Sequence, residues 1–286
     1  MLKECAQTAM KATDICGRKA LLLMKTIAIV SALERESSLI FELPGEPAQE
    51  RFCIPYAARS YQGVRLIVAT AGMGMTNMAG TVQFLIDSFA PDALILTGIA
   101  GSLNPGLGEG DIVLGETLSC LEADRSIIAE CAPYQEDYHS DEKLIAAAEK
   151  ALRQEGFVKR PAVRALSEAS LEELPFGTLE EHEARYTTGT IGSSNLFTTD
   201  PDILLAQRHD YRADCEEMEG AAAAQLCARA QVPFLAIRSI SNVCGEAYSD
   251  LNDAEERMDR TARLAAGLVL TTIGCYCSSS ASSNPA

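Results

Sequence analysis

Carboxylates, glycines and one amide stand where predicted strands end or where a predicted helix begins. The acidic segment 34–36 follows the first predicted strand and a Gly-Met-Gly turn (72–74) follows the second. The segment EEME (216–219) opens a helix, and Asn242 follows the last strand. Carboxylates can accept protons, and an amide can donate or accept hydrogen bonds. Taken singly, each feature has a simpler explanation, because glycines form tight turns and glutamates stabilise helix N-termini.

Two common kinds of cofactor site are disfavoured by the residue spacing. The Gly-Met-Gly turn lacks the third glycine of a dinucleotide fingerprint, since Asn77 stands in its place and no acidic ribose binder ends a following strand. The ten cysteines include no C-x-x-C pair, and the three histidines share no ligand-like spacing with them. We therefore expect no metal and no cofactor, and cysteines that are reduced thiols.

The charge balance narrows the class of partner. The chain has 286 residues, with 40 Asp and Glu against 24 Lys and Arg, for a formal net charge of −16. The negative electrostatic field of this charge disfavours nucleic acid and anionic membranes as partners, so small molecules or other protein chains are expected instead. The run 20–33 is interrupted by Lys25 and lacks a small-residue cleavage site, so we expect neither a membrane span nor a signal peptide, and a cytoplasmic location.

Strands alternate with helices from residue 26 onward. The predicted strands are TIAIVSAL (26–33), VRLIVATAG (64–72), ALILTGIAG (93–101), DIVLGETL (111–118), TTGTIGSS (187–194) and VPFLAIRSI (232–240), and the predicted helices cover about 77–88, 141–155, 218–230 and 253–273. This alternation predicts one α/β domain with a largely parallel sheet over 24–275. Residues 1–23 are interpreted as a flexible extension and 276–286 as a disordered tail. In such sheets ligands bind beyond the carboxyl ends of the strands, where the chemistry-bearing residues stand.

Taken together and in order, these segments resemble the nucleoside phosphorylase and nucleosidase superfamily over about residues 25–275. The resemblance rests on SALERE (31–36), AGMGMTN (71–77), TGIAGSL (97–103) followed by GEGDIVL (108–114), EEMEGAA (216–222) and RSISN (238–242). It implies a three-layer domain whose central mixed, largely parallel sheet is flanked by helices, a purine nucleoside as the small-molecule substrate, and a homodimer or larger homo-oligomer.

The segment SALERE resembles the branch that hydrolyses 5′-methylthioadenosine and S-adenosylhomocysteine, together with the futalosine hydrolases. The resemblance implies that Glu36 activates the attacking water, that Met218 and Glu219 bind the ribose and that Phe197 stacks on the purine. The match at Phe197 is looser, because GSSNLF (192–197) departs from the usual Gly-Asp-x-Phe pattern. The other predicted substrate-binding residues are Ala71, Gly72, Gly74, Glu217 and Ser241.

Water is favoured over phosphate as the nucleophile. Phosphorylases of this superfamily hold phosphate with an arginine just before the glycine turn of the third strand, where this chain has only LILT (94–97). A phosphate dianion cannot be desolvated without a counter-charge. Arg35 is the remaining candidate ligand for phosphate, so a phosphorylase stays open as an alternative.

Asn242 stands where the adenosine-type nucleosidases carry an aspartate that acts as general acid at N7 of the leaving base. An amide delivers no proton, but it can donate a hydrogen bond to N7 or O6. This favours a 6-oxopurine base, and the substrate prediction leans to futalosine, with 5′-methylthioadenosine or S-adenosylhomocysteine as the alternative. A binding protein without catalytic activity is a further alternative, which Glu36 and Glu219 argue against.

Overall fold

The computed structural model of the chain describes residues 24–178, 181–247 and 254–281. The expected extension at 1–23 and the last residues of the expected tail, 282–286, lie outside the described residues. The strands are β1 (Thr26–Ser31), β2 (Gln49–Arg51), β3 (Ile54–Tyr61), β4 (Val64–Thr70), β5 (Ala93–Ser102), β6 (Ile112–Cys120), β7 (Tyr138–His139), β8 (Val158–Lys159), β9 (Arg185–Ser193), β10 (Ala213–Glu217) and β11 (Phe234–Val243). The α-helices are α1 (Glu34–Phe41), α2 (Met75–Phe89), α3 (Arg125–Ile128), α4 (Glu142–Gln154), α5 (Glu168–Glu173), α6 (Pro201–Asp210), α7 (Gly220–Ala230) and α8 (Glu255–Ala281).

All these strands join one mixed sheet in the order β10-β9-β6-β11-β5-β1-β4-β3-β2, with β7 and β8 attached to β6 and β9. The neighbours β4, β1, β5 and β11 run parallel, whereas β11 and β6 are antiparallel. Strand β10 pairs with both β9 and β5, which closes five strands into a small barrel at one end of the sheet.

Helices cover both faces of the sheet because its strands are apolar on both sides. Along β1, Ile29 packs into one buried cluster with residues of α1, α4 and α8, and the next residue, Val30, packs into a second cluster with residues of α2 and α7. Successive strand side chains point to opposite faces, so one short apolar strand contributes to both cores. The prediction of a single three-layer α/β domain with a mixed, largely parallel sheet is confirmed.

The prediction of a disordered tail at 276–286 is wrong for residues 276–281, because these residues continue helix α8. The physical reason lies in the packing of Tyr276 and Cys277 against the cluster on the α1 side of the sheet. The amino group of Lys25 also lies 4.7 Å from the ring centroid of Tyr276. The end of α8 therefore contacts Lys25, the residue directly before β1.

Candidate active site

A cavity of about 260 Å³ opens at the carboxyl ends of the strands, as the sheet type predicts. Its walls come from the carboxyl-terminal residues of β5, β10 and β11, from the segments that follow β1, β4, β9, β10 and β11, and from the start of α8. The lining residues are Ala32, Leu33, Arg35, Glu36, Met73, Ile99, Ala100, Gly101, Leu196, Phe197, Thr198, Glu216, Glu217, Met218, Glu219, Ser241, Asn242, Cys244, Gly245, Glu255 and Met258. Seven of the ten predicted site residues are among them.

Glu36 lies in the first turn of α1 and is 2% exposed. Its Oε2 accepts hydrogen bonds from the backbone N–H groups of Ala32 (3.0 Å) and Leu33 (2.8 Å), and its Oε1 accepts one from Ile99 (2.9 Å). Burial raises the pKa of Glu36, although Arg238 and the three N–H donors oppose the rise. The side chain is thus a fixed, desolvated carboxylate with increased affinity for a proton.

Arg238 is the charged centre of the site, and the sequence analysis assigned it no role. It is fully buried in β11, and its Nη2 contacts the carboxylates of Glu217 and, at 3.1 Å, Glu219. Its Nη1 lies 3.9 Å from Oε1 of Glu36, and no hydrogen-bond acceptor in the described part of the chain reaches Nη1 or Nε. A signal was present in the sequence, because a cation inside an apolar buried strand requires carboxylate partners.

Glu219 is 4% exposed and faces the same guanidinium. Its Oε1 accepts a hydrogen bond from the backbone N–H of Gly74 at 2.8 Å. Burial is the largest influence on this group and, with the neighbouring carboxylates Glu217 and Glu36, raises its pKa to about 7 despite Arg238. Glu219 can therefore change its protonation state near neutral pH.

Glu217 lines the cavity, but its oxygens are engaged inside the protein. Oε1 accepts hydrogen bonds from the Ser193 hydroxyl and from the N–H of Gly220 (2.8 Å), and Oε2 accepts from the N–H of Glu219 (3.1 Å). It stabilises the N-terminus of α7 and shares the charge of Arg238. Glu217 thus contacts the backbone of Glu219, and the predicted role of Glu217 in substrate binding stays a prediction.

Asn242 and Ser241 meet at an irregularity in β11, where the pairing with β5 shifts between Ile240 and Asn242. Such bulges redirect side chains next to active sites. The Ser241 hydroxyl donates to Oδ1 of Asn242 at 2.9 Å, and Nδ2 of Asn242 donates to the carbonyl of Val243 at 3.2 Å. An amide Nδ2 has two hydrogens, so a second hydrogen is left for a ligand.

Apolar side chains form the mouth of the cavity. Phe197 lies in the segment after β9 and is 42% exposed, and Leu196 and Met73 beside it are also exposed. Met218 is half-buried and lines the wall next to Glu219. Phe197 and Met218 therefore both contribute apolar surface to the cavity, and their packing against the base and the sugar stays a prediction.

Ala71, Gly72 and Gly74 are not among the residues that line this cavity, and their role in substrate binding stays a prediction. The N–H groups of Ala71 and Gly72 donate to the backbone carbonyls of Ser31, at the end of β1, and Ala32, and the N–H of Gly74 donates to Glu219. Both glycines have positive φ, at 85° and 95°. The turn instead presents Met73 to the cavity and holds Glu219 in place.

Arg35, the remaining candidate for phosphate, lies at the edge of the cavity and pairs with Asp259 of α8 at 2.7 Å. The stretch before the turn of β5 carries no cation, and Thr97 there is fully buried. Arg238 lies opposite Gly98 on the neighbouring strand, but its charge is shared among three carboxylates. The described cavity thus offers no unpaired cation to a phosphate.

The described residues contain neither a metal-site cluster nor a membrane-spanning helix. No cluster of three or more His, Cys, Asp or Glu side chains there has the arrangement of a metal site. No described helix has the length and apolar character needed to cross a membrane.

The cavity lies at the strand ends, contains buried carboxylates grouped around one guanidinium and is rimmed by apolar side chains, so it suits a small polar molecule with an apolar part. The chain belongs to the Phosphorylase superfamily, whose family model matches residues 26–274. The superfamily membership predicted from the sequence is confirmed.

Two nucleosidases are similar to the chain over most of its length. It is 28% identical over 226 residues to the 5′-methylthioadenosine/S-adenosylhomocysteine nucleosidase of Lysinibacillus sphaericus. This alignment covers 77% of this chain and 87% of that protein. The crystal structure of the nucleosidase of the same name from Neisseria meningitidis, in complex with methylthio-immucillin-A, aligns with a TM-score of 0.71 at 26% identity, covering 87% of this chain and 99% of that one. The prediction of an enzyme of the nucleosidase class is confirmed by these relatives.

The native structure of futalosine hydrolase from Helicobacter pylori also aligns, with a TM-score of 0.72. It is 20% identical and covers 88% of this chain and 98% of that one. At this identity the likeness concerns the fold.

Proposed function

We propose that this protein hydrolyses the N-glycosidic bond of a 5′-substituted purine nucleoside, with 5′-methylthioadenosine and S-adenosylhomocysteine as the leading substrates. The relatives named above support these two nucleosides over futalosine, the substrate to which the sequence analysis leans. One observation supports hydrolysis above all others. Glu36 is a buried carboxylate fixed on the cavity wall, and Oε1 faces the unbonded Nη1 of Arg238 across 3.9 Å.

The attacking water would be held at the carboxylate of Glu36, which lines the cavity, whereas Arg238 is fully buried and does not line it. Oε1 of Glu36 is a carboxylate oxygen that can take up a proton. Burial raises the pKa of Glu36, and a base with a raised pKa accepts a proton more readily as the oxygen of water meets the sugar. Arg238 thus positions the carboxylate of Glu36, and Glu36 removes the proton of the water.

Glu219 would bind the sugar. A carboxylate can accept hydrogen bonds from both the 2′- and the 3′-hydroxyl, and its negative charge favours an oxocarbenium-like transition state. The Gly74 N–H and Arg238 hold the two oxygens of Glu219. Met218 next to it supplies an apolar face for the ribose.

Asn242 would assist departure of the base through hydrogen bonds, without transferring a proton. An asparagine matches adenine at N7 and the 6-amino group, and through Nδ2 it also matches N7 and O6 of a 6-oxopurine. Oδ1 of Asn242 accepts from the Ser241 hydroxyl, which leaves Nδ2 as the group with a spare hydrogen. This observation favours futalosine as the second candidate substrate.

Release of free base tests the proposal. The protein is incubated with 5′-methylthioadenosine, S-adenosylhomocysteine, futalosine and inosine, each with and without phosphate, and the products are separated by chromatography. We expect adenine and a free 5-substituted ribose from the first two substrates at a rate that phosphate does not change. Release that requires phosphate would identify a phosphorylase. Absence of release from all four would favour a binding protein.

A further inference from the structure

Glu216 is a cavity-lining carboxylate that the water-activating and sugar-binding groups leave unused. It is half-buried in β10, immediately before Glu217. Glu217 and Glu219 pair with Arg238, whereas no Lys, Arg or His of the described residues lies within ion-pair distance of Glu216. A carboxylate on the wall of a nucleoside site without a cation is available to a donor on the ligand.

Two neutral donors fix the orientation of this carboxylate. Oε1 of Glu216 accepts hydrogen bonds from the Thr198 hydroxyl at 2.6 Å and from Nε2 of Gln207 at 2.9 Å. Both donor residues are buried, at 9% and 5% exposure. No described residue donates to Oε2. Burial raises the pKa of Glu216, in keeping with a partly desolvated group that lacks a cation. A partly buried carboxylate oxygen is stabilised when a donor reaches it, so Oε2 suits a ligand N–H.

Glu216 and Asn242 flank the same residue of the sheet. Gly101 of β5 pairs with Glu216 on one side and with Asn242 on the other. Paired residues on neighbouring strands share a face, and strands lie about 4.8 Å apart, so the two Cα atoms are roughly 9.6 Å apart. Gly101 has no side chain, and a Cβ built there would meet Sγ of Cys244 at 2.8 Å and Nδ2 of Asn242 at 3.3 Å. The thiol of Cys244, which also lines the cavity, therefore lies over Gly101. A flat base that packs against this thiol can present one edge to Asn242 and another to Glu216.

Phe197 belongs to the same arrangement, because it directly precedes Thr198, the donor to Glu216. The segment after β9 therefore supplies the aromatic ring at the cavity and the hydroxyl that orients the carboxylate. Both groups come into position together when this segment packs against β10.

We propose that Glu216 is a specificity-determining residue for the base, whose carboxylate accepts a hydrogen bond from an N–H group on the six-membered ring of the purine. This inference rests on the proposed function. The 6-amino group of adenine and the N1–H of a 6-oxopurine both supply such a donor, whereas unsubstituted purine presents only acceptor nitrogens on that ring. Hydrogen bonds to a charged group are among the stronger ones, so we expect roughly 10- to 100-fold discrimination against unsubstituted purine.

The test compares 5′-methylthio ribonucleosides of adenine, hypoxanthine and unsubstituted purine as substrates. The measured quantity is kcat/KM for base release by the wild type and by Glu216→Gln. The glutamine carbonyl can keep the hydrogen bonds of Oε1, and its amide then presents a donor where Oε2 was an acceptor. We expect the preference for adenine or hypoxanthine over purine to fall at least tenfold in the variant. The base whose kcat/KM falls more identifies the natural donor.

Glu50→Gln is the matched control, because Glu50 is an exposed carboxylate in strand β2 at the far edge of the sheet and does not line the cavity. It should leave kcat/KM for all three bases unchanged. If Glu216→Gln does not fold, Glu216→Asp withdraws the carboxylate by one methylene, and its preference should also fall. A wild-type ratio retained in a folded Glu216 variant would overturn this inference alone. A uniform loss with all three bases would show a structural role and also overturn it. No hydrolysis of any base by the wild type would overturn the proposed function and this inference with it.

Discussion

Gly98 is the position where one added methyl group would disturb the centre of the site most. It lies in β5 directly opposite Arg238 of β11. A Cβ at this position would lie 2.6 Å from Oε1 of Glu36 and closer still to Nη1 of Arg238. Both side chains are almost fully buried and held by other contacts. Gly98→Ala therefore forces the guanidinium and the carboxylate apart, with no solvent into which either can move.

The expected loss of stability has two parts. Inserting a methyl group into a packed interior costs about 1–3 kcal/mol. Breaking a buried ion pair leaves an uncompensated charge, which costs about 3–5 kcal/mol when the break is complete. We therefore expect the free energy of unfolding of Gly98→Ala to fall by about 3 kcal/mol or more. For a domain of this size, that corresponds to a decrease in Tm of roughly 6–12 °C.

Activity should fall as well, because a misplacement of about 1 Å in a catalytic group can cost 10²-fold in rate. Thermal unfolding followed by circular dichroism gives Tm, and base release well below the transition gives the rate. The matched control is Gly80→Ala in the middle of α2, where a Cβ meets no atom within 4 Å. Alanine is favoured over glycine in a helix by about 1 kcal/mol, so Gly80→Ala should raise Tm. A Gly98→Ala variant with wild-type Tm and rate would refute the placement of Arg238 against Glu36.

Two further substitutions test the charges and the base site. The pKa of Glu219 is raised from the usual 4.5 to about 7. Its protonated form therefore contributes to the free energy of unfolding below pH 4.5, and this contribution, about 3 kcal/mol, is lost as the pH rises to about 7. In Glu219→Gln the unfolding free energy from urea titrations should change less between pH 5 and pH 8, and an unchanged slope would contradict the raised pKa. Asn242→Asp supplies an acid that can protonate N7, so base release should shift toward adenine nucleosides over their hypoxanthine counterparts, and an identical substrate ratio would count against the role of Asn242.

The apolar strands were predictable because burial on both faces leaves a continuous run of hydrophobic residues. Strand β10 was missed, since its sequence ADCEE carries the carboxylates that face Arg238 and the cavity. Its side chains are stabilised by contacts from distant segments, which local patterning does not reveal. The residues that serve the site therefore remove the apolar pattern by which strand β10 could have been predicted.

Helix α6 was also missed, although a local signal was present. Asp200 accepts a hydrogen bond from the N–H of Asp202, and Pro201 occupies the first turn, which is a typical helix start. Its weak apolar periodicity obscured this signal. The helix contributes to function through Gln207, which orients Glu216.

The candidate site residues were predictable where a motif carries them along the chain. Glu36, Glu219 and Asn242 all line the cavity as expected. No role was predicted for Arg238, because its contacts are with carboxylates in α1, in β10 and at the N-cap of α7. Glu217 was among the predicted site residues and Glu216 was not, and only the hydrogen bonds in the folded chain distinguish an engaged carboxylate from an available one.

The central claim is that Glu36 activates water for attack on the sugar, and Glu36→Gln tests it most directly. Base release from 5′-methylthioadenosine is measured in phosphate-free buffer for the wild type and for the variant, with circular dichroism to verify the fold. Removal of a general base typically costs about 10²- to 10⁴-fold in rate, so we predict a folded variant that loses nearly all hydrolysis. A folded Glu36→Gln protein that releases adenine at the wild-type rate would contradict the account.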